Sequence, residues 1–420
     1  MTLALILFAL TYILLLLLPK IRAYVALASA AIFVVTGIMP LDKLFSAVDW
    51  NVLMMIAGTM GVVYLFIESQ MPSLLADVLI RKLPNVKWVI VVLSLFAGII
   101  SAFVDNVATV LMVAPVALTI CKKLKISPVK SIIAIAIASN LQGAATLVGD
   151  TTSILLGGYA GLNFLDFFVY KGKMGMFFVV EISALVATLV LLWFFRKDTD
   201  PVDIKGTTVV KDYFPSYLLI GMVLGLIIAS FIPNTPATIN GIICMAGLLL
   251  AIVREALKKN YALVKGAIKE IDYFTLLLLG GLFIVIGGIS EAGVVDWLGQ
   301  MFVNVSGDNL FVIYTLIVWA SVLLSAFIDN IPYIATMLPV VVSISNLLGI
   351  DPTILFFGLL SGATLGGNLT PIGASANITG IGILRKEGHD VKAWDFMRIS
   401  VPFTLSAVLT GYLLIWFVWS

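Results

Sequence analysis

Apolar runs long enough to cross a hydrocarbon core of roughly 30 Å recur near residues 2–18, 22–39, 51–67, 130–160, 174–195, 215–232, 236–252, 273–289, 353–384 and 400–419, which predicts ten crossings. Two further runs, about 88–121 and 310–347, are too long for one pass, and each is interrupted by an Asp-Asn pair, Asp105-Asn106 and Asp329-Asn330. Each is either a pair of full crossings or a hairpin that enters and leaves on one side. Length favours the hairpin: the arm from Trp88 to Val104 amounts to about 25 Å of helix, enough to pass the midplane without emerging. The residues around the first pair, Phe103, Val104, Val107 and Ala108, are apolar, whereas exposed turns carry Gly, Ser or further charge.

The two interruptions belong to a larger repeat. Ser101-Ala102-Phe103-Val104-Asp105-Asn106 returns as Ser325-Ala326-Phe327-Ile328-Asp329-Asn330 at an offset of 224 residues, and Pro115/Pro339, Thr146/Thr370 and Gly149/Gly373 keep the same offset. Each copy contributes five crossings, an odd number, so the second copy is expected to be inverted. The predicted fold is an all-α polytopic membrane protein of two inverted-topology repeats, each with five crossings, a re-entrant hairpin and a discontinuous helix. The first repeat is 1–196, with a cytoplasmic-side hairpin at about 88–121. A cytoplasmic linker, 197–214, leads to the second repeat, 215–420, whose hairpin at about 310–347 opens from outside. Residues 70–86, with Pro72, Asp77, Arg81 and Lys82 among leucines, read as an amphipathic interfacial helix.

Composition agrees: 61% of residues are hydrophobic and only 11% charged, far from a soluble domain. The net charge of +2 says little, but its placement orients the chain. With the N-terminus outside, 22 of the 25 Lys and Arg fall in cytoplasmic segments, only Lys43, Lys171 and Lys173 fall outside, and none is expected in the hydrocarbon. This predicts a multi-pass cell-membrane protein with both termini extracytoplasmic. Thr2 to Leu18 lacks a basic leader and reads as a retained helix. Cys121 and Cys244, at unrelated spacing, read as packing residues, and His389 as a solvated loop residue.

Chemistry concentrates after each hairpin, where a span is broken by small and polar residues: Ser139 to Ser153 in the first half, Gly362 to Asn377 in the second. Thr370-Pro371 disfavours regular helix, and unwound backbone at membrane depth must be buried in protein or line a wet cavity. Such a break presents bare carbonyls on one half-helix and bare amides on the other. The expected ion-coupling residues are Asp105, Asn106, Asp329, Asn330, Asp150 and Asn377. The expected substrate-binding residues are Asn140, Thr146, Thr151, Gly367, Asn368, Thr370 and Ser375. A Na⁺ could be held at Asp105, Asn106, Asp329, Asn330 and Asn377; otherwise no metal or cofactor is expected, and no catalytic residue. Glu181 lies in an apolar span without a polar counterpart in the second half.

These residues point to a secondary transporter that couples H⁺ or Na⁺ to a small inorganic or organic solute. A primary pump is disfavoured because Gly-x-x-x-x-Gly-Lys is missing. An intramembrane aspartyl protease lacks its Gly-x-Gly-Asp signature, and a passive channel is the remaining alternative. The pattern Phe-x-Asp-Asn with Pro nine residues on, together with Gly366-Gly367-Asn368 and Gly373-Ala374-Ser375-Ala376-Asn377, resembles the ion transporter superfamily (citrate transporter-like domain) in its arsenite permease, NhaD and P-protein branch. The resemblance implies paired re-entrant hairpins, broken helices and elevator-type transport by a homodimer, with an arsenite-permease-like cargo (an anion or a neutral oxyacid) or, alternatively, NhaD-type Na⁺/H⁺ exchange. It implies no nucleic acid and leaves a peripheral ATPase partner open. The first break departs from the family's Gly-Asp-Pro-Pro-Asn, reading Gly149-Asp150-Thr151-Thr152-Ser153, so the better-formed ion site is expected in the second half.

Overall fold

The computed structural model describes residues 1–81, 83–202, 208–307 and 309–420. Lys82, Lys205 and the 203–207 part of the linker, assigned above to the cytoplasmic side, lie outside the described residues.

The first half runs α1 (Thr2–Leu17), α2 (Arg22–Val35), a single turn α3 (Leu44–Ala47), α4 (Trp50–Glu68) and α5 (Met71–Ile80). It continues through the hairpin α6 (Val86–Ser101) and α7 (Asn106–Leu124), the broken span α8 (Val129–Gly143) and α9 (Thr151–Ala160), and α10 (Met176–Phe194). The second half repeats the plan as α11 (Phe214–Ser230), α12 (Ile239–Leu257), α13 (Tyr261–Lys269), α14 (Tyr273–Glu291) and α15 (Val294–Ser306). Its hairpin is α16 (Leu310–Ser325) and α17 (Asn330–Leu348), its broken span α18 (Thr353–Gly366) and α19 (Ser375–Lys386), and its last helix α20 (Ala393–Trp419). The starts of α6, α7, α8 and α9 map onto those of α16, α17, α18 and α19 at the same offset of 224 that relates the two Asp-Asn pairs. The fold is that of an all-helical polytopic membrane protein; among the described residues its one strand pair is a two-stranded antiparallel hairpin, Val169–Tyr170 with Lys173–Met174.

Seven stretches among the described residues are individually long and apolar enough to span a bilayer, and two of them are the second arms of the hairpins, α7 and α17, at 19 residues each. The ten predicted crossings include shorter elements: the halves of each broken span stop at the Gly- and Thr-rich segments, and α1 and α2 meet at 108° instead of lying antiparallel. The interfacial helix is shorter than the 70–86 expected. It opens with Pro72 in its first turn, where the missing N–H costs nothing, and ends at Ile80. Its Asp77 carboxylate accepts from the Thr208 N–H at 2.8 Å and hydroxyl at 2.6 Å, fastening the linker to it. The linker is tied again at its end, where the Arg254 guanidinium beside Asp212 holds that carboxyl down at about 2.

The helices sort into two packed groups. In one, α2 lies along α14 and α4 along α12, with α1 and α11 beside them; in the other, α6 packs on α8, α16 on α18 and α10 on α20. The broken spans are enclosed almost completely: every residue from Ile132 to Leu156 and from Thr353 to Asn368 is buried. Glu181 is half-buried on α10 and is not among the residues that line the cavity described below. Both cysteines are free and buried, as packing residues would be.

Candidate functional site

Each hairpin tip is built by its aspartate. Asp105 precedes α7 in extended backbone, and its Oδ1 accepts from the N–H groups of Val107 at 3.0 Å and Ala108 at 3.1 Å. Asp329 does the same for α17, accepting from Ile331 N–H at 3.0 Å. A helix start buried at membrane depth needs acceptors for its first amides, and an N-cap aspartate supplies one. The Asp-Asn pair is therefore first a capping device, with the asparagine as the first helical residue.

Behind each tip the break is stitched to the hairpin in the same way. The Thr146 hydroxyl donates to the Ala102 carbonyl, and the Thr370 hydroxyl to the Ala326 carbonyl. Gly149 and Gly373 pass so close to backbone carbonyls that a Cβ on either would lie 2.6 Å from the nearest.

The two halves meet at Asn140. Its Oδ1 accepts from Asn106 Nδ2 at 3.1 Å, and its Nδ2 donates at 2.8 Å to the carbonyl of Thr364, the residue at its own position in the other copy. Equivalent positions touch only where a pseudo-two-fold axis passes between them, so the axis relating the repeats runs through this pair. From there the network continues to Asp150. Thr152 donates its single hydroxyl proton to Asp150 Oδ2 at 2.8 Å, so the Thr364 hydroxyl must be the donor in its 2.9 Å bond to Thr152. Asn140→Ala should leave a buried amide and a buried carbonyl unpaired, costing about 1–3 kcal/mol for each group so exposed. The expected result is a lowered thermal unfolding midpoint in detergent, with Asn106→Ala adding less on top of it than alone.

A cavity of about 630 Å³ opens where the tips and breaks converge. Asp105, Asn106, Asp150, Thr151, Asn330 and Ser375 line one wall. Asn106, Thr151, Asn330 and Ser375 are the first residues of α7, α9, α17 and α19, so four helix N-termini, with their partial positive charge, point to one space. The facing wall is contributed by α4, the end of α13, the connection to α14 and the start of α14, and carries Glu68, Lys269, Glu270 and Asp272 together with Arg22. A second cavity of about 680 Å³ is lined by other stretches of the same helices, including Asp49 just before α4, Asn51 on α4, Tyr159 on α9 and Pro339 on α17. Along α9 the two are separated by the stretch from Thr151 to Leu155, and along α17 by Ile331 to Ala335, in each case about 6 Å of helix.

Not every predicted site residue reaches this space. Asn140 lies one step behind Asn106, and Thr146 and Thr370 are turned to backbone carbonyls. Gly367 packs against the Gly373 carbonyl at 2.9 Å to where its Cβ would be. Asn368 donates to the Ile137 carbonyl at 2.8 Å, and Asn377 to the carbonyls of Gly367 and Thr370, both at 3.2 Å. The Oδ1 atoms of Asn368 and Asn377 and the hydroxyl of Ser153, which holds Asn377's place in the first copy, are buried without a partner among the described residues. Such oxygens are where a cation or a water would be accommodated.

Two features were not foreseen. Asp272 reaches the cavity as the N-cap of α14, accepting from Thr275 N–H at 3.0 Å, and its counterpart Asp49 caps α4 and lines the second cavity; that near-repeat was readable. The second is Arg22, which turns inward to the tip of the second hairpin. Its Nη1 lies 2.5 Å from Asp329 Oδ2, with the two side chains 18% and 19% exposed. A basic residue at a helix end looks the same in sequence whether it turns to water or reaches inward, so nothing in the chain signalled the pair. Among the described residues the second tip's carboxylate is thus paired with a cation, whereas Asp105 Oδ2 has no hydrogen bond or ion pair.

Fold and site together define a polytopic membrane transporter. The chain belongs to the citrate transporter family, whose sequence profile matches residues 12–362. An uncharacterized transporter of Mycobacterium tuberculosis, Rv2684, is 32% identical over 411 residues, covering 94% of this chain and 93% of that one. The human P protein is 25% identical, over 93% of this chain and 56% of its own length. Among solved structures, the Alcanivorax borkumensis YdaH transporter superposes with a TM-score of 0.61 at 15% identity, covering 89% of this chain and 86% of its own. Neisseria gonorrhoeae MtrF, described as one of a class of antimetabolite efflux pumps, gives 0.56 at 16%, covering 95% and 85%. At these identities the two structures speak for the fold.

Proposed function

We propose that this protein is a secondary active transporter coupling H⁺ or Na⁺ to the movement of a small inorganic or organic anion or a neutral oxyacid, by alternating access of one central site. The observation that carries this reading is the convergence of four helix N-termini with the carboxylates of Asp105 and Asp150 in a single cavity. The N-termini suit the oxygens of an anion or oxyacid; the carboxylates suit a proton or a monovalent cation. The family's description as citrate transporters favours a carboxylate among the cargoes. Na⁺/H⁺ exchange without a further cargo is the second reading, favoured by the free oxygen of Asp105 and the acidic facing wall.

Two cavities separated by one helical turn support a movement of the hairpin group past α4 and α14, in the elevator manner; the resemblance to the ion transporter superfamily supports a homodimer. The charge distribution supports placing the first cavity on the cytoplasmic side of the cell membrane, with both termini outside. In that orientation a cysteine at position 260 reacts with an impermeant thiol reagent only from inside and one at position 43 only from outside; the reverse pattern overturns it. The coupling reading is tested in proteoliposomes by comparing citrate and other carboxylates, arsenite and ²²Na⁺ under imposed pH and sodium gradients. Uptake that follows neither gradient for any of them rejects coupled transport.

A further inference from the structure

The Arg22–Asp329 pair joins the two helix groups. Arg22 opens α2, which packs along α14, and its guanidinium also stands 6.0 Å from the Phe274 ring of α14. Asp329 opens α17 at the tip of the second hairpin. Both of its oxygens are engaged, Oδ1 by the Ile331 amide and Oδ2 by Arg22. At Asp105 the arrangement differs. Oδ1 takes both helix amides, Oδ2 has no hydrogen bond or ion pair among the described residues, and the residue faces the cavity. Two carboxylates at identical positions of a repeat are thus in different states of charge compensation.

We propose that Arg22 is a tethered counter-cation for Asp329, closing the second carboxylate to soluble cations while the first is open, and parting from it when the hairpin group shifts. The functional consequence rests on the coupled-transport reading above; the test does not. An uncompensated carboxylate in a largely buried site is strongly disfavoured, so as long as Arg22 is engaged Asp329 needs no other cation. A shift of α17 relative to α2 and α14 separates the two, and Asp329 then requires a proton or a soluble cation in Arg22's place. Arg22 is in this sense a positioning residue: it sets which of the two carboxylates is available, and it favours the state with the first cavity open.

The test is the accessibility of single cysteines in the full-length protein in proteoliposomes, with Cys121 and Cys244 replaced by serine. Ala108→Cys reports on the first cavity and Thr238→Cys on the second. Arg22→Gln should slow thiol labelling at position 108 and speed it at position 238, by at least about fivefold, the lower end of ordinary coupling between conformational states. Arg22→Lys should keep both rates near those of the parent. Asp329→Asn should shift them in the same direction as Arg22→Gln, and the double variant no further than either alone, because the two residues act as a unit. Should Arg22→Gln fail to fold, Asp329→Asn with Arg22→Lys reads the same pair. Parental labelling in both single variants, or a double variant showing the sum of their effects, overturns the proposal. Labelling needs no cargo and no gradient, so a negative substrate panel leaves this test readable, and unchanged labelling leaves the transport reading standing.

Discussion

Asp105→Asn is expected to reduce gradient-driven uptake in proteoliposomes to the level of protein-free liposomes while the protein remains folded. Two properties of Asp105 make this separation possible. Its Oδ1 is structural, capping α7 through Val107 and Ala108, and asparagine caps a helix about as well as aspartate, so the tip should keep its geometry. Its other oxygen is free at the cavity, and only an aspartate there can take and release a proton or balance a monovalent cation; asparagine does neither. Thermal unfolding in detergent should therefore match the parent within the small differences typical of exchanged caps. Asp105→Ala serves as the contrast, losing the cap as well, at a cost of about 1 kcal/mol. Driven uptake by Asp105→Asn at half the parental rate or more would remove Asp105 from the coupling mechanism. Loss of uptake together with a collapsed melting transition would show that the cap, and not the charge, had been tested.

Much of this architecture was legible because a repeated structure leaves marks at a fixed offset. Asp105 and Asp329, Thr146 and Thr370, and Gly149 and Gly373 hold corresponding places in the fold at the spacing read from the chain. The spans were legible because a bilayer demands long apolar runs. What the sequence withheld was direction. In a soluble helix, polar residues mark the wet face; here Thr146, Thr370 and Asn377 are polar yet turn to backbone carbonyls that helix ends and unwound segments leave free, and Asn368 turns to the Ile137 carbonyl of α8. Five of the seven predicted substrate residues, Asn140, Thr146, Gly367, Asn368 and Thr370, thus hold the site's frame rather than face its space. Asp105 and Asp329 were read as ligands, whereas each is also a cap, a role signalled by an aspartate directly before an apolar helix. The Arg22–Asp329 pair spans 307 residues of chain and depends on tertiary packing alone.

Gly149→Ala and Gly373→Ala are expected to abolish folded protein, for a reason that lies in the backbone. A Cβ at Gly149 would fall 2.6 Å from the carbonyl oxygens of Gly143 and Ser101 and 2.7 Å from that of Ala102; one at Gly373 would meet the carbonyl oxygens of Gly367 at 2.6 Å and of Ala326 and Ser325 at 2.8 Å. No rotamer change relieves these contacts, since the atoms belong to the hairpin arm and to the end of the preceding half-helix. Overpacking of a tight core costs about 1–3 kcal/mol when side chains can adjust, and here a shift would also break the Thr146 or Thr370 bond to the same tip. Gly221→Ala and Gly280→Ala are the controls: both glycines lie in helices with nothing within 4 Å of the added carbon, and alanine there should be neutral or stabilise by up to about 1 kcal/mol. The measurement is the monodisperse yield of tagged protein after detergent extraction, followed by its melting temperature. A yield for Gly149→Ala equal to that of Gly280→Ala would mean that the tip and the break are not packed as described. The repeat makes a sharper demand: since both glycines face the same enclosure of three carbonyls, the two substitutions should fail alike, and survival of one alone would show that the copies have diverged in packing as well as in charge.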